Sequence, residues 1–441
     1  MEQRRKNLTQ LFIPICLETL LYMLSGMVDT LMLSSVNDQA VGAVGTANTY
    51  IGIFIIMFSV ISSGMVAVMT QNIGAGRPGV AYQARQLGLT FNAVLGIIVS
   101  LILTFGAGAI LAGVGVADAL MQPARTYLQI VGGFCILNAL IPICSSYLRA
   151  FGFSKEPLYA SIIGNVINFC LNAFFLFVLH KGVAGVATAT VISRIINLVI
   201  VVLLGAVLVK AKQHPERESN RAVMGQIIRI GLPSACETAI YNVSMTLVIR
   251  FLNQMDAQGL NVTARSYTMQ ITNFSYCVGA ALAQANAIMT GWHIGAKEYD
   301  ACDRGTKKAA VIGVIVAVIL ETMFALCSGW IMQLFSKDPQ MVSLVGKLLA
   351  IDIVLEMGRV TNLVYGQALK TSGDAVFPVV MGACFMILCS VGGTYLFGIR
   401  LGLLAVGAYI GMTGDECVRA VGMYLRWKSG KWKEKGLVKS R

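Results

Sequence analysis

The chain has 441 residues, 56% apolar and 12% charged, with 45 glycines and a mean hydropathy of +0.73. A water-soluble domain is about one-quarter charged, so this composition excludes an ordinary soluble globule. A net charge of +13, from 34 Lys and Arg against 21 Asp and Glu, would suggest nucleic acid in a soluble protein. Here its meaning depends on where the basic residues lie.

A spanning helix needs roughly 20 apolar residues. Apolar runs between polar breaks predict twelve of them, near 11–34, 41–70, 86–113, 124–148, 158–179, 183–209, 228–252, 260–290, 309–335, 341–368, 376–398 and 402–425. The expected fold class is an all-α integral membrane protein of twelve transmembrane helices. The first run is too long for a cleavable signal peptide and carries Glu18 and Asp29. These two acids lie eleven positions apart, so they share a helix face but stand about 16 Å apart along the axis. A charge at mid-bilayer costs about 2.5–3.5 kcal/mol on insertion scales, so each is a functional candidate. Glu18 reads equally as a group in an interfacial or interhelical hydrogen bond. The second span carries Phe54 and Phe58, candidate cavity residues. The fifth bears a polar stripe of Asn165, Asn168 and Asn172, which can either bind a ligand or join helices. The sixth adds Thr188, Thr190 and Arg194.

The stretch 210–227 (KAKQHPERESNRAVMGQI) reads as a linker. The expected organisation is an N-lobe at 1–209, this cytoplasmic linker, a C-lobe at 228–425 and a basic cytoplasmic tail at 426–441. In the C-lobe, Tyr241, Met245 and Tyr276 are candidate cavity residues. Glu321 in span nine is placed near the outer interface. Asp352, Glu356 and Arg359 recur at i, i+4, i+7 on span ten, and Glu356 and Arg359 can pair along the helix. With Glu237 they form a second-lobe charged cluster. Asp415, Glu416 and Arg419 on span twelve suggest self-neutralisation.

Of the 34 basic residues, 24 fall at the N-terminus, the even-numbered connections and the tail, and six on the opposite side. The larger group includes Arg4, Arg5 and Lys6, then Lys210, Lys212 and Arg217, and the tail from Arg426 through Lys439 to Arg441. Arg265 is counted with the smaller one. The positive-inside rule then places both termini in the cytoplasm of a multi-pass plasma-membrane protein. The tail is expected to touch anionic lipid, and nucleic acid is not expected as a partner. Eleven scattered cysteines without a C-x-x-C pair read as apolar filler.

The chain also repeats itself at an offset of about 220 residues. Pro14 and Glu18 recur as Pro233 and Glu237. Ile73-Gly74-Ala75 recurs as Ile294-Gly295-Ala296, and Arg149, Gly152 and Pro157 recur as Lys370, Gly373 and Pro378. Six spans per half give two pseudosymmetric lobes in the same orientation, an arrangement suited to alternating access. No nucleotide-hydrolysis motif, H-E-x-x-H or G-x-S-x-G is present. An enzyme is therefore not expected, and transport must run on a gradient.

With these residues placed, the sequence resembles the multidrug and toxic compound extrusion (MATE) family over nearly its whole length. The likeness rests on Pro14 followed by MVDTLML at 27–33, QNIGAGR at 71–77, LRAFG at 148–152, NVINFCLN at 165–172, GVATATVIS at 185–193, GWHIGAK at 291–297 and LKTSGD at 369–374. The resemblance implies antiport, with H⁺ or Na⁺ entering as an organic, often cationic and amphiphilic compound leaves. No other cofactor is implied, and the chain is expected to act as a monomer. It implies a cation-coupling site at Asp29, Asn168, Asn172 and Thr190, and a hinge at Pro14. The family pattern has a second carboxylate where this chain has Asn172. An acidic residue of span ten used in another branch is replaced by Arg359. The rival readings are a lipid-linked precursor flippase, which needs a strongly cationic cavity, and, from another class, a membrane-embedded enzyme or channel.

Overall fold

The computed structural model describes residues 6–438 apart from 36–37, 114–115, 117, 211–213, 257–258 and 334. Arg4, Arg5, Lys212, Lys439 and Arg441, counted above among the basic residues, lie outside the described residues. The chain divides into two compact units, Met1–Leu232 and Pro233–Arg441.

The first unit contains α1 (Leu8–Ser34), α2 (Asp38–Gly74), α3 (Pro78–Phe105), a short α4 (Ala107–Gly113), α5 (Asp118–Gly133), α6 (Ile136–Ala150), α7 (Lys155–Ala173) and α8 (Gly182–Leu208). A π-helical turn, Phe174–Val178, prolongs α7. The helix α9 (Asn220–Met255) begins within the stretch read as a linker and carries the unit boundary at Pro233. The second unit continues with α10 (Leu260–Gly295), α11 (Tyr299–Leu326), α12 (Ser328–Met332), α13 (Pro339–Ser372), α14 (Val376–Phe385) and α15 (Leu404–Lys428). Two π-helical turns, Met386–Val391 and Thr394–Arg400, follow α14. In the first unit α1 packs on α7, and α2 on α3, α5 and α6; in the second, α13 is central, against α10, α11 and α15.

The fourth span departs from the expected unbroken run. It is the pair α5 and α6, bent by 43°. The Gly132-Gly133 pair and Phe134 stand at the bend, and glycine pairs are a common cause of kinks. Bending frees backbone donors, and one is recovered from a neighbour: the Ile136 N–H donates to Ser100 Oγ at 3.2 Å. Among the described residues, seven helices are long and apolar enough to cross a membrane, and the bent pair makes an eighth candidate. The helices α9, α10, α13 and α15 fall short of that apolarity. They are the helices that carry most of the buried charge of the second unit.

The repeat is written in the backbone. Gly152 and Gly373 both adopt positive φ, 86° and 98°, immediately after α6 and α13. A left-handed residue closes a helix by satisfying its last carbonyls, and glycine does so without a Cβ penalty. The repeat is also written in charge. Arg149 bonds Glu18 at 2.5 Å and Lys370 bonds Glu237 at 2.5 Å, each tying the first helix of a lobe to the end of its fourth span. Ser161 of α7 adds a hydrogen bond to Glu18 at 3.2 Å. Of the two hydrogen-bonding roles read for Glu18, the structure shows the interhelical one.

Pro14 is buried within α1. Proline has no N–H to give to the carbonyl four residues earlier, which here belongs to Gln10. The buried Ser154 hydroxyl, just before α7, donates to that carbonyl at 3.0 Å. The first unit thus supplies from outside α1 the bond that the proline removes.

The tail packs its aromatic residues on the second unit. Trp432 is 1% exposed and stacks on Trp427 with ring centroids 4.1 Å apart. Trp427 Nε1 donates to Asp303 at 2.9 Å, and Arg426 bonds Asp374 at 2.7 Å. The Lys435 carbonyl lies against Gly373, where a Cβ would collide with it. The two aromatic rings need an apolar bed and find it on the second unit itself, while Lys428, Lys431 and Lys433 remain exposed.

Replacing Ser154 with Ala removes the partner of the Gln10 carbonyl, and the loss of one hydrogen bond costs about 0.5–1.5 kcal/mol. The expected outcome is a lower melting temperature of the purified protein in detergent, with Ser154→Thr close to the parent. Equal melting temperatures for S154A and the parent would contradict this account.

Candidate functional site

Two polar sites are built inside the helices, one in each unit. In the first, the α7 stripe turns Asn168 and Asn172 inward, 5% and 0% exposed, and α1 brings Asp29 to them. Asn172 Nδ2 donates to Asp29 Oδ1 at 2.7 Å and to Asn168 Oδ1 at 3.2 Å. Asn172 Oδ1 is buried with no hydrogen-bond partner among the described residues. Thr190 on α8, 7% exposed, is bonded to the Val186 carbonyl of its own helix. Of the four expected residues, three form one hydrogen-bonded group, and Thr190 holds its hydroxyl to its own backbone. Arg194 exerts its charge on Asp29, and the buried Tyr127 lies in the field of both.

The donor set is oxygen-rich. It offers the Asp29 carboxylate, the Asn168 carbonyl and the orphaned Asn172 carbonyl, all hard ligands suited to Na⁺, with the carboxylate equally able to take a proton. The carboxylate is bonded to the Asn172 amide N–H, which stands where a cation's charge would sit. That N–H occupies Asp29 Oδ1, and a cation bound at that oxygen would displace it.

In the second unit, a cavity of about 390 Å³ lies among α9, α10, α13, α15 and the first π-helical turn after α14. Its wall includes Glu237, Tyr241, Met245, Tyr276, Asp352 and Arg359, all expected from the sequence. Four basic residues, Arg265, Arg359, Lys370 and Arg419, face four acidic ones, Glu237, Asp352, Asp415 and Glu416. Most of these charges are consumed in pairs. Arg419 bonds Asp415 at 2.8 Å and Glu416 at 2.9 Å. Arg359 bonds Glu356 at 2.8 Å and reaches Glu416 at 3.6 Å. Asn362 and Ser390 donate to Glu416 and Asp415 at 3.1 and 3.0 Å. A ladder of alternating charge therefore runs from α13 to α15. Such pairing is what makes several charges tolerable inside a membrane protein. A wall with equal numbers of acids and bases does not match the strongly cationic cavity that a pyrophosphate flippase would need.

Several expectations change. Phe58 is 2% exposed within the core of the first unit, with Phe54 packed against that core, so neither lines this cavity. Their spacing matches a core stripe as well as a cavity wall, and the packing decides between them. Glu321 is not interfacial. It is 0% exposed on α11, beside Ser275 and in the field of Asp352 and Glu356. Glu356 is buried behind the wall and acts on it through Arg359. Arg265, assigned to an outer connection, is 5% exposed on α10 and faces the cavity. It lies just inside the start of a span whose first turns (LNVTARSYT) are polar enough to read as loop.

The MatE family model matches this chain twice, at residues 14–174 and 233–396. The chain is 33% identical over 431 residues to the uncharacterized transporter YisQ of Bacillus subtilis (strain 168), covering 96% of this chain and 94% of that protein. It is 22% identical over 446 residues to the probable multidrug resistance protein NorM of Thermotoga maritima, covering 98% and 94%. Among solved structures, a MATE protein crystallised in the straight conformation superposes with a TM-score of 0.88 at 19% identity, covering 97% of this chain and 96% of that one. That fold is the twelve-helix, two-lobed arrangement expected from the spans and the repeat.

Because Arg419 neutralises two buried acids, Arg419→Met strands both. Breaking a buried pair on one side costs about 3–5 kcal/mol. A marked fall in melting temperature is expected for R419M, and a substantial recovery when Asp415→Asn and Glu416→Gln are added. No recovery in the triple variant would mean that Arg419 acts through its packing, not its charge.

Proposed function

Since the chain belongs to the MatE family, whose members are transporters and not enzymes, we propose that it is an H⁺- or Na⁺-coupled antiporter. It exports amphiphilic organic compounds that carry a positive charge across the plasma membrane by alternating access. The 24-to-6 distribution of basic residues supports an orientation with both termini in the cytoplasm. The chain works as a monomer on this reading.

The observation that carries the reading is the bond from Asn172 Nδ2 to Asp29. In the cation-free state the amide N–H satisfies the carboxylate. A proton on Asp29 removes the charge that attracts that N–H. A Na⁺ ion instead takes the carboxylate oxygen and requires the amide to turn its carbonyl inward. Turning gives up two hydrogen bonds, to Asp29 and Asn168, but none at Asn172 Oδ1, which has no partner among the described residues. Either cation therefore loosens α1 from α7 at Asn172. Pro14 lies fifteen residues away on α1, where the backbone already lacks one internal bond. Cation occupancy at Asp29 and the set of α1 at Pro14 are thereby linked through one helix.

A single carboxylate takes one monovalent cation. The cycle is then electroneutral for a monovalent organic cation and moves one charge for a zwitterion. A pH gradient supplies about 1.4 kcal/mol per unit, enough for about tenfold accumulation of substrate at one proton per molecule.

Purified protein in liposomes tests this reading, with fluorescent organic compounds that carry a positive charge, both cationic and zwitterionic, as substrates and the Na⁺ and pH gradients varied independently. Asp29→Asn is expected to reduce gradient-driven efflux to the level of empty vesicles. Asn172→Leu should retain cation-responsive efflux but require less of the cation if H⁺ is used, and lose the response if Na⁺ is used. Undiminished gradient-driven efflux by D29N would refute the assignment.

A further inference from the structure

Two charged groups on the wall of the second-unit cavity are left over when all the ion pairs have been drawn. Arg265 is 5% exposed and pairs with no carboxylate among the described residues. Its Nη2 meets the Met245 sulfur at 3.7 Å, and its Nε has no hydrogen-bond partner. Asp352 is 2% exposed and makes no hydrogen bond or ion pair among the described residues, with Oδ2 fully buried. Arg359 exerts its field on Asp352 but spends its own hydrogen bond on Glu356. Tyr409, fully packed on α15, lies in the fields of both Asp352 and Arg265.

A desolvated guanidinium or carboxylate without a partner is costly, more so inside a membrane protein. Such groups persist where something outside the chain completes them. Here one is positive and one is negative, and both face the same space. A guanidinium presents a planar fork of donors suited to a carboxylate, while a lone carboxylate suits an ammonium group. Tyr241, Tyr276 and Met269 add aromatic and soft apolar surface to the same wall. A volume of about 390 Å³ is in the range that holds a small organic molecule.

We propose that the cavity of the second unit is a binding site for a zwitterionic aromatic compound, its carboxylate on Arg265 and its ammonium on Asp352. This deepens the antiport reading by naming the class of compound exported, and it rests on that reading only for the statement that the bound compound is the one transported. A purely cationic amphiphile leaves Arg265 unpaired, and a purely anionic one leaves Asp352 unpaired. The site therefore discriminates by requiring both charges.

The test is equilibrium binding to the purified full-length protein in detergent, by calorimetry, with three matched probes: 2-naphthylalanine, its methyl ester and its N-acetyl derivative. The free amino acid is expected to bind at least about tenfold more tightly than either capped form, the effect of one charge-assisted hydrogen-bonded group. Arg265→Gln should lower affinity for the free amino acid to that of the ester and leave the ester unchanged, with Arg265→Lys in between. Asp352→Asn should lower it to that of the N-acetyl form. Equal affinities for the three probes in the parent protein, no saturable binding by any, or an equal loss for all three in R265Q each overturn the proposal. The parent's own preference decides the matter even where a variant fails to fold. Asp29→Asn separates the two readings, because it removes gradient-driven efflux under the antiport reading and leaves the probe preference intact. Preference without coupling overturns antiport alone; coupling without preference overturns the zwitterion site alone.

Discussion

A charge inside a bilayer has to be answered by another group, and in the second unit most of the answers come from the chain itself. Arg419 lies between Asp415 and Glu416, Glu416 reaches Arg359, and Arg359 holds Glu356. The links within each helix are 2.8–2.9 Å, and α13 is tied to α15 by the 3.6 Å contact of Arg359 with Glu416 and the 3.1 Å hydrogen bond from Asn362. The helices that bear these charges are too polar to stand alone in lipid. They are tolerated because α13 packs against α10, α11 and α15, which keeps the ladder away from hydrocarbon. Packing and charge pairing are thus one constraint here. A cavity forms where the ladder faces open space.

The same constraint shapes the first unit with fewer charges. A single carboxylate, Asp29, is answered by an amide N–H rather than a cation. Asparagine is neutral, so the group needs no counter-charge, and it can present either a donor or an acceptor. An acid at that position would add a second charge and change how many cations are needed to neutralise the pocket. The two lobes therefore share a frame but not a chemistry. Their common part is the pair of ion bridges, Glu18 with Arg149 and Glu237 with Lys370, together with the left-handed glycines at 152 and 373. Backbone closure and the tie between first and fourth spans were kept in both copies, while the buried polar groups diverged.

Much of this was legible in the sequence. Hydropathy gave the spans because a lipid-facing helix has few alternatives in composition. The offset between Pro14-Glu18 and Pro233-Glu237 gave the repeat, since a duplicated backbone keeps its prolines and glycines. Glu356 and Arg359 were readable as a pair because a helix brings i and i+3 together whatever surrounds it. Less legible were the groups whose neighbours lie far away in sequence. Arg265 sits in a polar first turn that looks like loop, and only its burial on α10 reveals that it faces a cavity. Glu321 has no charged companion nearby on its own helix; its neighbours Asp352 and Glu356 are on α13. Phe58 looks the same in sequence whether it lines a pocket or fills a core. The basic tail gives no sign in sequence that Trp432 stacks on Trp427.

The sequence by itself determined that this is a twelve-span, duplicated membrane protein with very few charges in its interior. Those properties are set by composition and period, which act locally along the chain. The tertiary structure decided which of the interior charges are spent on one another and which are left over. Asp415, Glu416, Glu356, Arg359 and Arg419 neutralise each other across two helices, whereas Asp352 and Arg265 do not. That division depends on distances between helices that no local pattern encodes. It is the reason that a chain with a net charge of +13 encloses a cavity of balanced charge.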